Sequence, residues 1–165
     1  MCRKYFETSD LKGKVFVSSG LGGMSGAQAK AGHILGACTV IAEVSREALD
    51  KRHKQGWVKE VATDLNKLLA RIAECRRKKI GTSIGYYGNV VDLWEAILAH
   101  FTKTGELLVD LGSDQTSCHN PYLGGYFPVQ LTYQESLKMM HENPVEFKCL
   151  VQERYINKKI LKIFN

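Results

Sequence analysis

Proline is scarce, three in 165 residues, and no repeat or low-complexity stretch interrupts the chain, so nothing in the composition marks a linker. Long apolar runs are missing too. None approaches the roughly 20 residues that span a bilayer, and the N-terminal stretch lacks the apolar core of a secretory signal, so neither a membrane nor export is expected. The five cysteines (Cys2, Cys38, Cys75, Cys118 and Cys149) are odd in number and widely spaced, with no Cys-x-x-Cys pair. That argues against a zinc ribbon or a disulfide framework and for a reduced, cytosolic protein. Cys118-His119 has no second pair at ligand spacing, so no metal is expected. The net charge of +6 could draw nucleic acid, but the basic residues are scattered or sit at helix ends, as in Arg76-Arg77-Lys78-Lys79. No aromatic-rich binding motif accompanies them, and no nucleic-acid partner is expected.

What is present reads as one α/β domain, residues 1–165, with 1–13 as a lead-in and 154–165 as a divergent C-terminal helix. A β-branched run, Val15-Phe16-Val17, leads into Ser18-Ser19-Gly20-Leu21-Gly22-Gly23-Met24-Ser25-Gly26-Ala27-Gln28. Strand, glycine turn and helix in that order make an anion site, because glycines let backbone approach a phosphate and the first helical N–H groups point at it. Gly20 and Gly22 are in register with the dinucleotide fingerprint, Ser25 holds the third glycine's place and Gly26 comes one residue late.

The pattern predicts a helix from about Met24 to Leu35 with Ala27, Ala31, Ile34 and Leu35 inward, a buried strand over Cys38 to Val44, and a short helix capped by Ser45 and ended by Gly56. Val58, Val61, Leu65, Leu68, Leu69 and Ile72 fall on one helical face. A third strand, Ile80 to Tyr87, leads through Gly88-Asn89 into a helix striped by Val90, Leu93, Trp94, Ile97, Leu98 and Phe101. A fourth strand, Glu106 to Leu111, opens into a loop from Gly112 to Pro128, too long for a mere connector. Two helices close the chain, one with a Thr132/Glu135 capping box and one started by Asn143-Pro144. Uniformly apolar strands alternating with helices imply a Rossmann-like parallel sheet covered on both faces, with ligands at the carboxyl ends of its strands.

Glu43 ends the second strand about 20 residues beyond the turn, where such folds place the acid that accepts from ribose hydroxyls. A carboxylate there repels a 2′-phosphate, so NAD is expected over NADP. Its plainer role is a solvated acid beside Ser45. Tyr155-x-x-x-Lys159 has the spacing of a short-chain dehydrogenase pair, but it lies in a lysine-rich terminal helix and the glycine spacing of that family is absent. His119, in the long loop, is read as a cofactor contact rather than a structural histidine.

The strings KVFV (14–17), SGLGGMSGAQ (19–28), IAEV (41–44), KRHKQGW (51–57), GNVVDLWE (88–95) and LVDLGSDQTSCHNP (108–121), with Gly124-Gly125-Tyr126 and Pro128-Val129, resemble urocanase, specifically its NAD-binding Rossmann-like domain. The resemblance runs from about residue 12 to 153. It implies NAD⁺ held as an electrophile, to which the urocanate ring adds before water completes imidazolonepropionate, in histidine degradation. It also implies a homodimeric whole enzyme whose substrate-binding core lies outside this chain. The cofactor contacts it implies are Gly22, Gly23, Met24 and Ser25 at the pyrophosphate, Glu43 at the adenosine ribose, Asn89 and Val90 at the next strand end, and Gln115, Thr116, Ser117, Cys118, His119, Tyr126 and Phe127 in a loop closing over NAD. It places no catalytic residue here, and the isolated domain is expected to be inactive. Tyr87 stands where the family usually has histidine, Phe127 where it often has tyrosine, and His33 in a normally aliphatic stretch. Two other functions compete with this one: a free-standing NAD-dependent oxidoreductase, which needs a substrate pocket, and a non-catalytic nucleotide-binding module.

Overall fold

In the computed structural model, residues 10–23, 25–113 and 120–157 are described. They fall into two compact units, Met1–Gln115 and Thr116–Asn165. The first carries a five-stranded, all-parallel sheet in the order β3-β4-β2-β1-β5. The elements are β1 (Val15–Ser19), α1 (Ala27–Ile34), β2 (Cys38–Glu43), α2 (Arg46–Lys54), β3 (Glu60–Ala62), α3 (Leu65–Lys78), β4 (Thr82–Tyr87), α4 (Val90–Thr104) and β5 (Leu111–Gly112). The expected Rossmann-like α/β fold is what the chain adopts. Strand order reverses beside β1, which has β2 on one side and β5 on the other, so the topological switch point lies at the glycine turn that leaves β1.

Alternation along the strands sends side chains to two different cores. On one face Val15, Val17, Val40, Ala42 and Ile84 meet Leu68, Ile72 and Cys75 of α3 and Leu93 and Ile97 of α4. On the other, Ile41 meets Leu21, Ala29 of α1, Leu49 of α2 and Val58. Backbones come very close on this second face. A Cβ added at Gly32 of α1 would lie 2.0 Å from Thr39 Oγ1, and one at Gly85 of β4 would lie 2.3 Å from Leu49 Cδ1.

Several elements depart from the sequence reading. The helix expected through Val58 and Val61 starts only at Leu65; Val61 lies in β3, an edge strand that the reading lacked. The helical spacing was fortuitous, since Asp64 caps α3 by accepting from Lys67 N–H at 2.8 Å and so fixes where the helix begins. The first helix begins at Ala27, and its Ile34 and Leu35 face outward, 70% and 39% exposed; Ala29 is its buried contact. Leu98 and Phe101 at the end of the α4 stripe are likewise exposed, because only the first turns of that helix lie over the sheet core. The fourth strand keeps only Leu111 and Gly112 in register with β1, although Leu108 and Val109 before it are buried.

Asp110, just before β5, ties the sheet together at its amino end. It accepts from Val15 N–H at 2.9 Å, across 95 residues of chain, and pairs with Lys14 and with Arg76 of α3. Arg76 is thus more than a helix-end cation.

The second unit contains a single π-helical turn, Pro121–Gly125, then α5 (Tyr133–Glu142) and α6 (Pro144–Asn157). Thr132 and Glu135 form the expected capping box, and Pro144 opens α6. Its small core is Tyr126, Phe147 and Val151. Lys159, and with it the Tyr155/Lys159 spacing, lies outside the described residues. No described helix is long and apolar enough to cross a membrane.

Candidate nucleotide site at the carboxyl edge of the sheet

The turn after β1 is held by backbone and side chains together. Gly20, at φ +86°, donates its N–H to Ala42 O at 2.8 Å; the left-handed angle suits glycine and swings the chain across the top of β2. Leu21 N–H then donates to Glu43 Oε2 at 2.6 Å, while Glu43 Oε1 accepts from Ser45 N–H at 2.8 Å. The acid that ends β2 therefore binds the glycine turn directly. It is not merely a solvated neighbour of Ser45. A carboxylate offers about four lone-pair sites, so two remain for hydroxyl donors.

Gly88 N–H donates to Glu43 O at 3.0 Å, which brings the carboxyl end of β4 against that of β2. Asn89 follows and caps α4 by accepting from Val91 N–H at 3.0 Å, with Val90 partly buried behind it. On the far side of β1, Ser113 donates its N–H to Val17 O, and its hydroxyl meets the buried Ser18 hydroxyl at 2.9 Å. Gly22, Gly23, Ser25, Glu43, Asn89 and Val90 are thus gathered on one edge of the first unit. Tyr126 and Phe127 belong to the second unit, where Tyr126 is buried with Phe147 and Phe127 packs on Tyr133, ring centroids 5.0 Å apart. Met24 and Gln115, Thr116, Ser117, Cys118 and His119 lie outside the described residues.

Helix capping separates α1 from its neighbours. Ser45, Asp64, Asn89 and Thr132 each cap their helix with a side-chain oxygen, whereas α1 begins at Gly26 with no side-chain cap. Gln28 N–H turns back to Ser25 O at 3.1 Å, and no side-chain oxygen caps the start of the helix or meets the positive end of its dipole.

Arg52, near the end of α2, was not singled out in the sequence. It is buried beneath the turn, donating from Nε to Leu21 O at 2.9 Å and from a terminal nitrogen to Gly22 O. Its other terminal nitrogen donates to Gln55 Oε1 at 2.7 Å, and the guanidinium lies over the Trp57 ring at 4.5 Å. In the run Lys51-Arg52-His53-Lys54 it looks like any cation at a helix end. The signal that could have found it is Gly26: a Cβ there would stand 2.5 Å from Arg52 Nε, so the late glycine makes room for this side chain.

The shifted acid–base groups lie away from the turn. Burial pushes the Asp92 carboxyl up, with Glu95 adding to it, and burial raises the Tyr86 hydroxyl. The facing Cys38 and Cys75 thiols are raised by burial. Among the described residues no group of three or more His, Cys, Asp or Glu could hold a metal ion.

Comparison with known proteins agrees with the fold. Residues 1–163 match the family model described as the urocanase Rossmann-like domain. The chain is 60% identical over 151 residues to urocanate hydratase of Mus musculus and 59% identical over 151 residues to that of Homo sapiens. It is 55% identical over 151 residues to a probable urocanate hydratase of Dictyostelium discoideum. Each alignment covers 92% of this chain and 22% of the relative, so the chain spans about a fifth of the length of the relatives it matches.

Proposed function

Because the chain belongs to the urocanase family, as its Rossmann-like domain, we propose that it binds NAD⁺ on the carboxyl edge of its sheet, as the cofactor-holding part of a urocanate hydratase. The observation that carries this reading is the Glu43 carboxylate bonded to the glycine turn, beside a helix with no side-chain cap. Such an edge fits a dinucleotide. The first turn of α1 with Gly22, Gly23, Met24 and Ser25 faces the diphosphate, and Glu43 accepts from the adenosine ribose hydroxyls. Asn89 and Val90 border the next part of the groove.

When bound, NAD⁺ supplies the electrophile that activates urocanate for water addition. This chain's own residues bind and orient that group; substrate binding and proton transfer fall to other parts of the enzyme, a cytoplasmic homodimer of histidine degradation. A free-standing oxidoreductase would need a second substrate site, and the family match favours the hydratase reading over it.

Charge-assisted hydrogen bonds from two ribose hydroxyls contribute about 1.5–3 kcal/mol each before competing costs. Calorimetry on Glu43→Ala should therefore show NAD affinity falling at least about tenfold. Equal affinity of the unaltered chain for NAD and NADP would overturn the assignment, since a ribose-binding carboxylate must repel a 2′-phosphate.

A further inference from the structure

We propose that Arg52 is the positioning residue of the glycine turn: it fixes two successive peptide units so that their N–H groups point outward at a diphosphate. The inference rests on the nucleotide reading above and deepens it. A trans peptide is planar, with its C=O and the following N–H pointing in opposite directions. Arg52 draws Leu21 O and Gly22 O to the same guanidinium beneath the turn. The N–H groups of Gly22 and Gly23, the other ends of those two peptides, are therefore turned away from it. Both glycines are exposed, and nothing lies within 4 Å of a Cβ built at Gly23. These two donors stand directly before the uncapped first turn of α1.

Charge supports the same assignment. Arg52 as a residue is only 8% exposed, and the acceptors of its guanidinium are two backbone carbonyls and an amide oxygen. Among the described residues no carboxylate lies within ion-pair distance of it, whereas Arg46 and Arg76 each have one and Arg71 has two. A buried cation without an acidic partner is costly unless an anion is supplied from elsewhere. A diphosphate on the outer side of the turn supplies one. The slot is built for this side chain: Gly26 leaves the space on one side, the Trp57 ring closes the other, and Gln55 holds the remaining nitrogen. Lysine could place a charge there but could not hold both carbonyls in one plane.

The test compares two probes on the full chain, NAD and adenosine, the second lacking the diphosphate, with binding followed by calorimetry and ligand-observed NMR. Thermal melts confirm that each variant is folded. Arg52→Met should lose NAD affinity by more than about tenfold while adenosine affinity changes by less than about threefold, the loss being that of charge-assisted hydrogen bonds to the turn. Arg52→Lys should fall between Arg52→Met and the unaltered chain, because it keeps the charge and loses the fork. If Arg52→Met does not fold, Arg52→Lys decides: NAD affinity equal to that of the unaltered chain overturns the proposal. Equal loss for both probes in any folded variant also overturns it, because that is what general loosening would do. An unaltered chain that binds neither probe overturns the nucleotide reading itself, a failure seen before any variant is made.

Discussion

On one face of the sheet, α3 and α4 press Leu68, Ile72, Leu93 and Ile97 onto Val15, Val17, Val40 and Ile84. On the other, α1 and α2 come down on Thr39, Ile41 and Gly85 with little more than Ala29, Leu49, Val58 and Leu21 between. The first face has the thickness and branched-chain content of an ordinary core, and its job is cohesion. The second uses missing side chains: Gly32, Gly85 and Gly26 each vacate a position that a neighbour fills. What it gains is proximity. The carbonyls of the glycine turn reach Arg52, and the end of β2 reaches Leu21, only because α1 and α2 lie so close. Stability and recognition are thus assigned to opposite sides of the same five strands.

The sharpest way to break that division is to damage the thick face and watch the site. Ile72→Ala should cost about 2–5 kcal/mol in urea unfolding, because a fully buried branched side chain leaves a cavity that α3 cannot close. The folded fraction should keep its NAD affinity within about twofold. A large affinity loss would mean that the two faces are not separable.

Next in size is the thin face. Gly32→Ala places a methyl group on Thr39 Oγ1 and should destabilise by about 1–3 kcal/mol. Pairing it with Thr39→Ala should recover most of that cost, since the clash lies between these two side chains and the Thr39 hydroxyl has no hydrogen-bond partner to lose. Additive losses in the double variant would show that the helix, not the contact, is what suffers.

The smallest effect belongs to the sheet edge. Glu60 of β3 is held below the usual carboxylate range by its bond to Arg71, with Thr82 helping. A depressed folded value means that the unfolded chain takes up the proton first. The contribution is therefore present above about pH 4.3 and is lost as pH falls through the folded value. Glu60→Gln should cost under about 1 kcal/mol at neutral pH, because the pair is partly solvated, and the difference from the unaltered chain should shrink in acid. A difference that grew below pH 4 would reverse the sign of this account.

Most of the thick face was legible before the fold was known, because its residues obey a single period: Leu65, Leu68, Leu69 and Ile72 read as one helical stripe and are one. The same stripe misled at Val58 and Val61, where apolar residues happen to continue the helical spacing through a loop and a three-residue edge strand. A strand that short carries too few alternations to compete with the helix beside it. At the site, Glu43 was visible because its spacing from the turn is fixed by one β-α-β unit. Its bonds to Leu21 and Ser45 were not, since they depend on how the turn folds back over β2. Arg52 was hidden for a different reason. Its partners are backbone oxygens, which leave no mark on residue identity, and the only trace is a glycine one place late.

The Asp110 tie between the ends of β1 and β5 also sets an order of assembly. Closing it spans 95 residues, whereas β1 meets β2 across a single helical crossover. Loop-closure entropy grows as the logarithm of length, so the longer closure costs about 1 kcal/mol more and follows the shorter. Until it is made, β1 exposes one unpaired edge and the switch point has one wall instead of two. By closure length, the wall that β5 adds beside the glycine turn is expected to form after the β1–β2 pairing. In that order of events a β-α-β core would precede the groove, leaving the free edge of β1 open to pairing with another copy until β5 arrives.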